Sequence, residues 1–199
     1  MRANTYLTER ERGILESARI GIAGAGGLGS NVAMLLVRAG IRKFVIVDFD
    51  TVNASNLNRQ FFFRSQIGEK KVDALAHNLR LIEPDLDLEL YDVRLTGDNI
   101  TDVFAGCDIV VEAFDSAESK TMLLDALLPL GRPVVAATGL AGWGRSNEIK
   151  THRVGRNLVL VGDQSSDVND GLAPQGARVA IAAAHEANAV VSFLLGEEL

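Results

Sequence analysis

The chain has 199 residues, 47% of them apolar, which is enough to bury a sizeable core within one domain. A net charge of −6 counts against a nucleic-acid binder, whose affinity comes from neutralising phosphates. The one cysteine, Cys107, excludes an internal disulfide and a cysteine-held zinc, and without a leader-like opening or an apolar run near the roughly 18 residues of a membrane span, a cytoplasmic protein is expected.

Thr8-Glu9-Arg10-Glu11 has the spacing of a capping box, so a short helix is predicted from Thr8 within an N-terminal helical segment, residues 1–17. Its charges suit an exposed or partner-facing element. Arg19-Ile20-Gly21-Ile22-Ala23 reads as a strand running into Gly24-Ala25-Gly26-Gly27-Leu28-Gly29-Ser30. A helix over 31–39 follows, stopped by Gly40, and Phe44-Val45-Ile46-Val47 is a buried strand ending at Asp48. This is a complete βαβ unit.

A helix is predicted over 65–82, because Val72, Leu75, Leu79 and Ile82 fall on one face and Pro84 ends the run. Leu86, Leu88 and Leu90 alternate with acidic residues, the period of a half-exposed strand. Ile109-Val110-Val111 and Val134-Val135-Ala136 are two more strands, separated by a helix over 116–130. Strands alternating with helices predict an α/β fold: a Rossmann-like, doubly wound, mainly parallel sheet with helices on both faces. Beyond Gly139 the pattern changes. Gly139, Gly142 and Gly144 surround Trp143 in a loop, and 148–151 with 158–161 can pair as a short antiparallel C-terminal part. A helix over 176–195 closes the chain, apolar nearly all round, and must be buried in the domain or against a second subunit.

Gly24, Gly26 and Gly29 satisfy G-x-G-x-x-G between a strand and a helix, with Gly27 inside the loop. The first glycine permits the turn, the second lets backbone approach a phosphate, and the third packs helix on strand. Asp48 stands at the end of the following strand, where an acid can bond ribose hydroxyls. That constellation establishes a nucleotide without saying which one. Arg59, Arg64, Lys70 and Lys71 crowd into the next stretch of an otherwise acidic chain, more cations than the pyrophosphate of NAD requires and suited to a triphosphate. Arg64 and Lys70 read as ordinary surface residues.

Asp48-Phe49-Asp50-Thr51-Val52-Asn53, then Ser55-Asn56-Leu57-Asn58-Arg59-Gln60, then Gly68-Glu69-Lys70-Lys71 form D-x-D-x-V-x-x-S-N-L-N-R-Q followed by G-x-x-K. After the G-x-G-G-x-G-S loop, this string resembles the ThiF/MoeB/HesA family, the bacterial relatives of ubiquitin-activating enzymes. Glu112-Ala113-Phe114-Asp115-Ser116, Ala173-Pro174, Arg178-Val179-Ala180 and His185-Glu186-Ala187-Asn188 extend the resemblance over residues 18–196, toward the compact zinc-free ThiF-like subgroup. The resemblance implies an adenylyltransferase that uses ATP and Mg²⁺, with no zinc, to activate the C-terminus of a ThiS-like ubiquitin-fold sulfur-carrier protein, in thiamine biosynthesis.

It assigns Gly24, Gly26, Gly27 and Gly29 to the nucleotide, Asp48 to the ribose, and Arg59 with Lys71 to the triphosphate. Asn56 and Gln60 support that site. Asp115 sits by Mg²⁺ and the reacting α-phosphate, so Arg59, Lys71 and Asp115 are the catalytic set. Asp50 either shares in metal or water positioning or caps its loop. The resemblance also implies a homodimer whose partner lends an arginine, a role for Arg10 or Arg12, and a separate sulfur donor. Cys107 reads as a small buried residue, and His77, His152 and His185 as structural. Trp143 either lines a substrate crossover loop or packs that loop down. A related tRNA-modifying dehydratase and a non-catalytic nucleotide-binding subunit of an activating complex are the alternatives, and an NAD oxidoreductase has only the glycine loop in its favour.

Overall fold

A computed structural model of the chain describes residues 6–166 and 171–197; residues 1–5 of the predicted N-terminal segment lie outside that range. Helix α1 (Glu9–Ser17) begins with the predicted capping box: Thr8 Oγ1 accepts from the Glu11 amide, and Glu11 accepts from the Thr8 amide at 2.7 Å. The βαβ unit follows as β1 (Arg19–Ala23), α2 (Gly27–Ala39) and β2 (Lys43–Val47), with Gly40 ending α2 in the left-handed region.

The helix predicted over 65–82 begins later than expected. A single 3₁₀ turn (Arg64–Gln66) is broken at Gly68, whose φ is +95°, and α3 runs only Lys71–Arg80. Then come β3 (Asp87–Tyr91), a short α4 (Ile100–Val103) that no sequence pattern signals, β4 (Ile109–Glu112) and α5 (Ala117–Leu127). Pro129 tightens the end of the predicted 116–130 helix into a 3₁₀ turn (Leu128–Leu130). The remaining elements are β5 (Val134–Ala137), β6 (Lys150–Val154), β7 (Leu158–Gly162) and α6 (Gly176–Leu195).

The seven strands form one sheet in the order β3-β2-β1-β4-β5-β7-β6, parallel throughout except for the antiparallel β6–β7 edge. This is the expected Rossmann-like arrangement. Alternation along each strand divides the core between the two faces. Ile20 and Ile22 of β1 pack in a cluster with Leu36 of α2, Leu75 of α3 and Ala183 of α6. Val110 of β4 and Ala136 of β5 point the other way, to Phe104, Leu123 and Leu127. On that face Gly21 makes room for Phe104, whose ring a β-carbon would meet at 2.7 Å. Strand order reverses between β1 and β4, and in open α/β sheets ligands bind in the crevice beyond the strand ends at such a point.

Helix α6 corrects two readings. Among the described helices it is the one long and apolar enough to cross a membrane by length and composition, with mean hydropathy 1.3, whereas no such stretch was expected. It packs along α2 and over the sheet. It also carries Arg178 and Glu186 fully inside the protein, so it is not apolar all round. Core helices of this kind pass the same membrane test.

A glycine-loop site at the sheet crossover

Beyond β1 the chain turns at Gly24, with φ +104°, and the Gly24 amide donates to Val47 O at 2.9 Å. A β-carbon here would stand 2.9 Å from Ala113 O, so the loop after β1 and the turn after β4 touch through backbone. At Gly29 the demand is stricter, because a β-carbon would lie 1.8 Å from Gly24 O. Gly26 is the N-cap of α2 and offers no capping side chain. The turn expected at Gly24 and the close helix packing expected at Gly29 are visible in this geometry.

Asp48 follows β2 and faces that loop. One carboxylate oxygen accepts from the Ala25 amide at 2.7 Å, the other from the Asp50 amide at 2.8 Å. Burial pushes its pKa up, and Lys71 and the two amides oppose that shift. Each oxygen keeps a lone pair for a further donor, as a ribose hydroxyl would be. Lys71 opens α3 and is only 6% exposed; its Nζ donates to Asp50 at 2.7 Å and stands 4.0 Å from Asp48. Asp50 therefore holds Lys71, a part for which neither sequence alternative allowed.

The Arg59 segment is anchored from both sides. Asn31 donates to Arg59 O at 2.9 Å, and Ser30 Oγ accepts from the Phe61 amide at 3.0 Å, tying the segment to α2. Gly176, opening α6, has no room for a β-carbon, which would sit 2.4 Å from Asn58 O. The Arg59 side chain runs beside Gly27, and its guanidinium donates to Ser55 O and Asn58 Oδ1. Asn56 turns its side chain back to accept from the Asn53 amide, so it shapes the loop. Gln60 lies buried beside Gly26, its Oε1 without a partner among the described residues.

Asp115 lies two residues beyond Ala113, exposed, with no side-chain hydrogen bond or ion pair among the described residues. Just before it, Glu112 is fully buried, accepting from Lys120 Nζ at 2.9 Å and from the Phe114 amide at 2.7 Å. Burial raises the Glu112 pKa and Lys120 opposes the rise. Glu186 of α6 is also fully buried, and neither of its carboxyl oxygens has a partner among the described residues. Burial first, then the charge of Glu112, holds its pKa well above the ordinary carboxylate range.

A second buried pair joins Arg178 of α6 to Asp163 beyond β7. Arg178 also donates to Gly144 O and Arg145 O, fixing the loop that presents Trp143, 69% exposed. Burial opposes ionisation of Asp163, but hydrogen bonds from Ser166, Ser165 and Arg178 hold its pKa below the usual range. None of Glu112, Lys120, Asp163, Arg178 and Glu186 has a role legible in the sequence. Charged residues inside an apolar strand or helix are the available signal for Glu112, Arg178 and Glu186; Asp163 carries none.

Arg64 is exposed and Lys70 pairs with Asp92, the surface roles expected of them. Cys107 is buried, and burial pushes its thiol pKa up to about 12. His185 bonds Thr151 Oγ1 at 3.0 Å, while His77 and His152 are exposed. No cluster of three or more metal-ligating side chains occurs among the described residues.

Over 122 residues the chain is 36% identical to a sulfur carrier protein adenylyltransferase of Thermus thermophilus, a match covering 61% of this chain and 45% of that protein. It is 38% identical over 132 residues to the adenylyltransferase and sulfurtransferase uba4 of Aspergillus clavatus, covering 66% of this chain and 27% of the relative. The chain thus spans less than half the length of these curated relatives. Among solved structures, E. coli tRNA N6-threonylcarbamoyladenosine dehydratase, TcdA, in complex with ATP superposes with a TM-score of 0.87 at 22% identity, covering 94% of this chain and 90% of that one. E. coli MccB with ATP gives a TM-score of 0.72 at 20% identity, over 92% and 57% of the two chains. These structures share the fold. The sequence pattern of the ThiF family matches residues 4–198, nearly the whole length, and the protein belongs to that family.

Proposed function

We propose that this protein uses ATP and Mg²⁺ to adenylate the C-terminal glycine carboxylate of a ThiS-like ubiquitin-fold sulfur-carrier protein, releasing pyrophosphate, in thiamine biosynthesis. The observation that carries the reading is the gathering of Asp48, Lys71 and Arg59 about one glycine loop, with the exposed Asp115 two residues beyond Ala113, whose carbonyl meets that loop at Gly24. The α2 amides receive phosphate, and Asp48 receives the ribose hydroxyls. Lys71 is held by the half-exposed carboxylate of Asp50 and Arg59 by neutral loop acceptors, and phosphate oxygens offer both cations charged acceptors in their place.

Asp115 fits a Mg²⁺ ion, which takes one or two carboxylates and completes its shell with water and phosphate oxygens. When bound, the ion supplies positive charge against the phosphates. The carrier's terminal carboxylate has a reference pKa of about 3.3–3.7 and attacks without a general base. A carboxylate oxygen bonds the α-phosphorus, the α–β bridging bond breaks, and the electron pair leaves with pyrophosphate. Arg59 and Lys71 offset that charge while the site holds the two reactants in line. Cys107, buried and protonated, has no part in this, so sulfur comes from a separate donor. Exposed Trp143 on its glycine-flanked loop is the surface offered to the carrier's tail.

Full-length likeness to TcdA favours one other reading, a tRNA-modifying dehydratase, which also adenylates a carboxylate. ATP–pyrophosphate exchange separates the two. Exchange that depends on a ThiS-like carrier and vanishes when its terminal glycine is removed is the expected result; exchange driven by modified tRNA and indifferent to carriers would overturn the proposal.

A further inference from the structure

Glu112 ends a strand whose preceding residues, Ile109, Val110 and Val111, are all buried and apolar. A buried ion pair contributes little net stability, and a well-packed apolar residue of similar size often serves as well. The Glu112–Lys120 pair therefore needs another explanation than stability, and its hydrogen bonds provide one. The carboxylate reaches forward to accept from the Phe114 amide at 2.7 Å and takes Lys120 Nζ at 3.0 and 2.9 Å on its two oxygens. Lys120 lies in α5, so strand end, turn and following helix are bolted to one carboxylate.

On the other side of Asp115, Ser116 caps α5 by accepting from the Ser119 amide at 3.1 Å. Asp115 has no side-chain hydrogen bond among the described residues, yet both neighbours in sequence are pinned. The Ala113 amide donates to Ala23 O at 2.9 Å, and Ala113 O is the atom that forbids a β-carbon at Gly24. A shift of this turn would therefore be felt directly by the glycine loop.

We propose that Glu112, locked by Lys120, is a positioning residue that fixes the 113–115 turn and so aims the Asp115 carboxylate across the glycine loop. Glu186, the other buried carboxyl acting on this pair, completes the cluster from α6. Lys120 Nζ bonds Glu112 and not Glu186, whose carboxyl oxygens have no partner among the described residues. The task given to Asp115 rests on the adenylation reading; the rigidity of the turn does not.

The test compares Glu112→Leu with Glu112→Gln, whose amide oxygen can still accept from Phe114, using two readouts. Amide hydrogen exchange should show Phe114 losing protection in the Leu variant and keeping it in the Gln variant. In carrier-dependent ATP–pyrophosphate exchange, kcat should fall on the order of 10²-fold for Leu with KM for ATP little changed, the cost expected of a slightly misplaced reacting group, while Gln recovers most of the rate. Should the Leu variant fail to fold, Lys120→Met, at a partly exposed position, removes the same lock and should speed Phe114 exchange and lower kcat. A protected Phe114 amide in Glu112→Leu, or in Lys120→Met where that variant stands in, overturns the proposal, as does equal loss of kcat in Leu and Gln. If the unmodified protein shows no exchange with any carrier, the adenylation reading fails and the Phe114 amide still decides this inference.

Discussion

Asp115 and Cys107 show how far a side chain's surroundings decide its use. Asp115 is exposed and has no side-chain hydrogen bond or ion pair among the described residues, so Asp115→Asn should leave the thermal midpoint unchanged, as surface changes away from special features usually do. The same change should lower adenylate formation by about 10²–10³-fold, the usual loss when one transition-state charge partner is removed. Full exchange activity in the folded variant would refute its role. Cys107→Ala should keep exchange while costing about 1–2 kcal/mol in urea denaturation, because a small buried side chain is lost and no nucleophile. Glu186 gives a pH signature. Its folded pKa is raised above the unfolded value of about 4.3, so the native state holds the proton more tightly. The associated stability is full below the unfolded pKa and is lost as pH rises toward the folded one. Glu186→Gln carries no such proton. Its thermal midpoint relative to the unmodified protein should therefore climb as pH rises from about 4.3 toward the raised folded pKa. Parallel curves across that window would count against a neutral Glu186.

At the scale of the element, the proposed function rests on the N-terminus of α2 as the phosphate site. Its close approach to the preceding loop depends on Gly29, where a β-carbon would overlap Gly24 O at 1.8 Å. Backbone cannot yield there as a flexible side chain would. Gly29→Ala should push α2 off the loop, disperse the amides that face the phosphates and abolish ATP binding by calorimetry. Its cost in stability should exceed the modest change of a Gly→Ala swap at an unstrained site. Near-normal ATP affinity in that variant would show that the helix terminus is not the phosphate site. The same calorimetry with NAD should give little heat, since the cations around Asp48 exceed what a pyrophosphate needs.

At the scale of the whole molecule, the packing of α6 on α2 leaves an apolar surface among the described residues. Leu35 and Ala39 of α2 with Ala184, Ala187 and Val191 of α6 line an open groove, and Phe193, Leu194 and Leu195 are only half covered. A two-fold partner laid along this groove would complete the burial of α6, which is the closed symmetry most oligomers adopt. Light scattering at micromolar concentration should give the mass of a dimer, and a monomer at that concentration would refute it. If a partner subunit lends an arginine, Arg10 is the better placed, because Arg10 is exposed while Arg12 donates to Leu7 O within its own segment. Mixing Arg10→Ala with Asp115→Asn subunits should restore part of the lost activity if the arginine acts across the interface. Mixtures as inactive as their parents would place its action within one subunit or nowhere.

Features whose partners lie close in sequence are legible from the residues alone. The capping box at Thr8, the turn at Gly24, the stop at Gly40 and the alternation of strand and helix depend on residues a few positions apart, and the fold contains each of them. Helix starts are less secure: α3 waits for Lys71 because Gly68 interrupts the apolar face that suggests an earlier start. Motif alone singles out Asp48, Arg59, Lys71 and Asp115, but only the tertiary structure puts Lys71 against Asp50 or leaves Asp115 bare between two pinned neighbours. Glu112, Arg178 and Glu186 fall within strings that extend the resemblance, but no string tells that Glu112 takes Lys120, that Arg178 takes Asp163 or that Glu186 is fully buried, because burial belongs to the packed assembly of strands and helices rather than to any local window. The sequence by itself determined where the chain turns and where a nucleotide can rest. Long-range packing decided which charges are buried, paired or free, because the field at each carboxylate comes from elements that meet only once the sheet has formed.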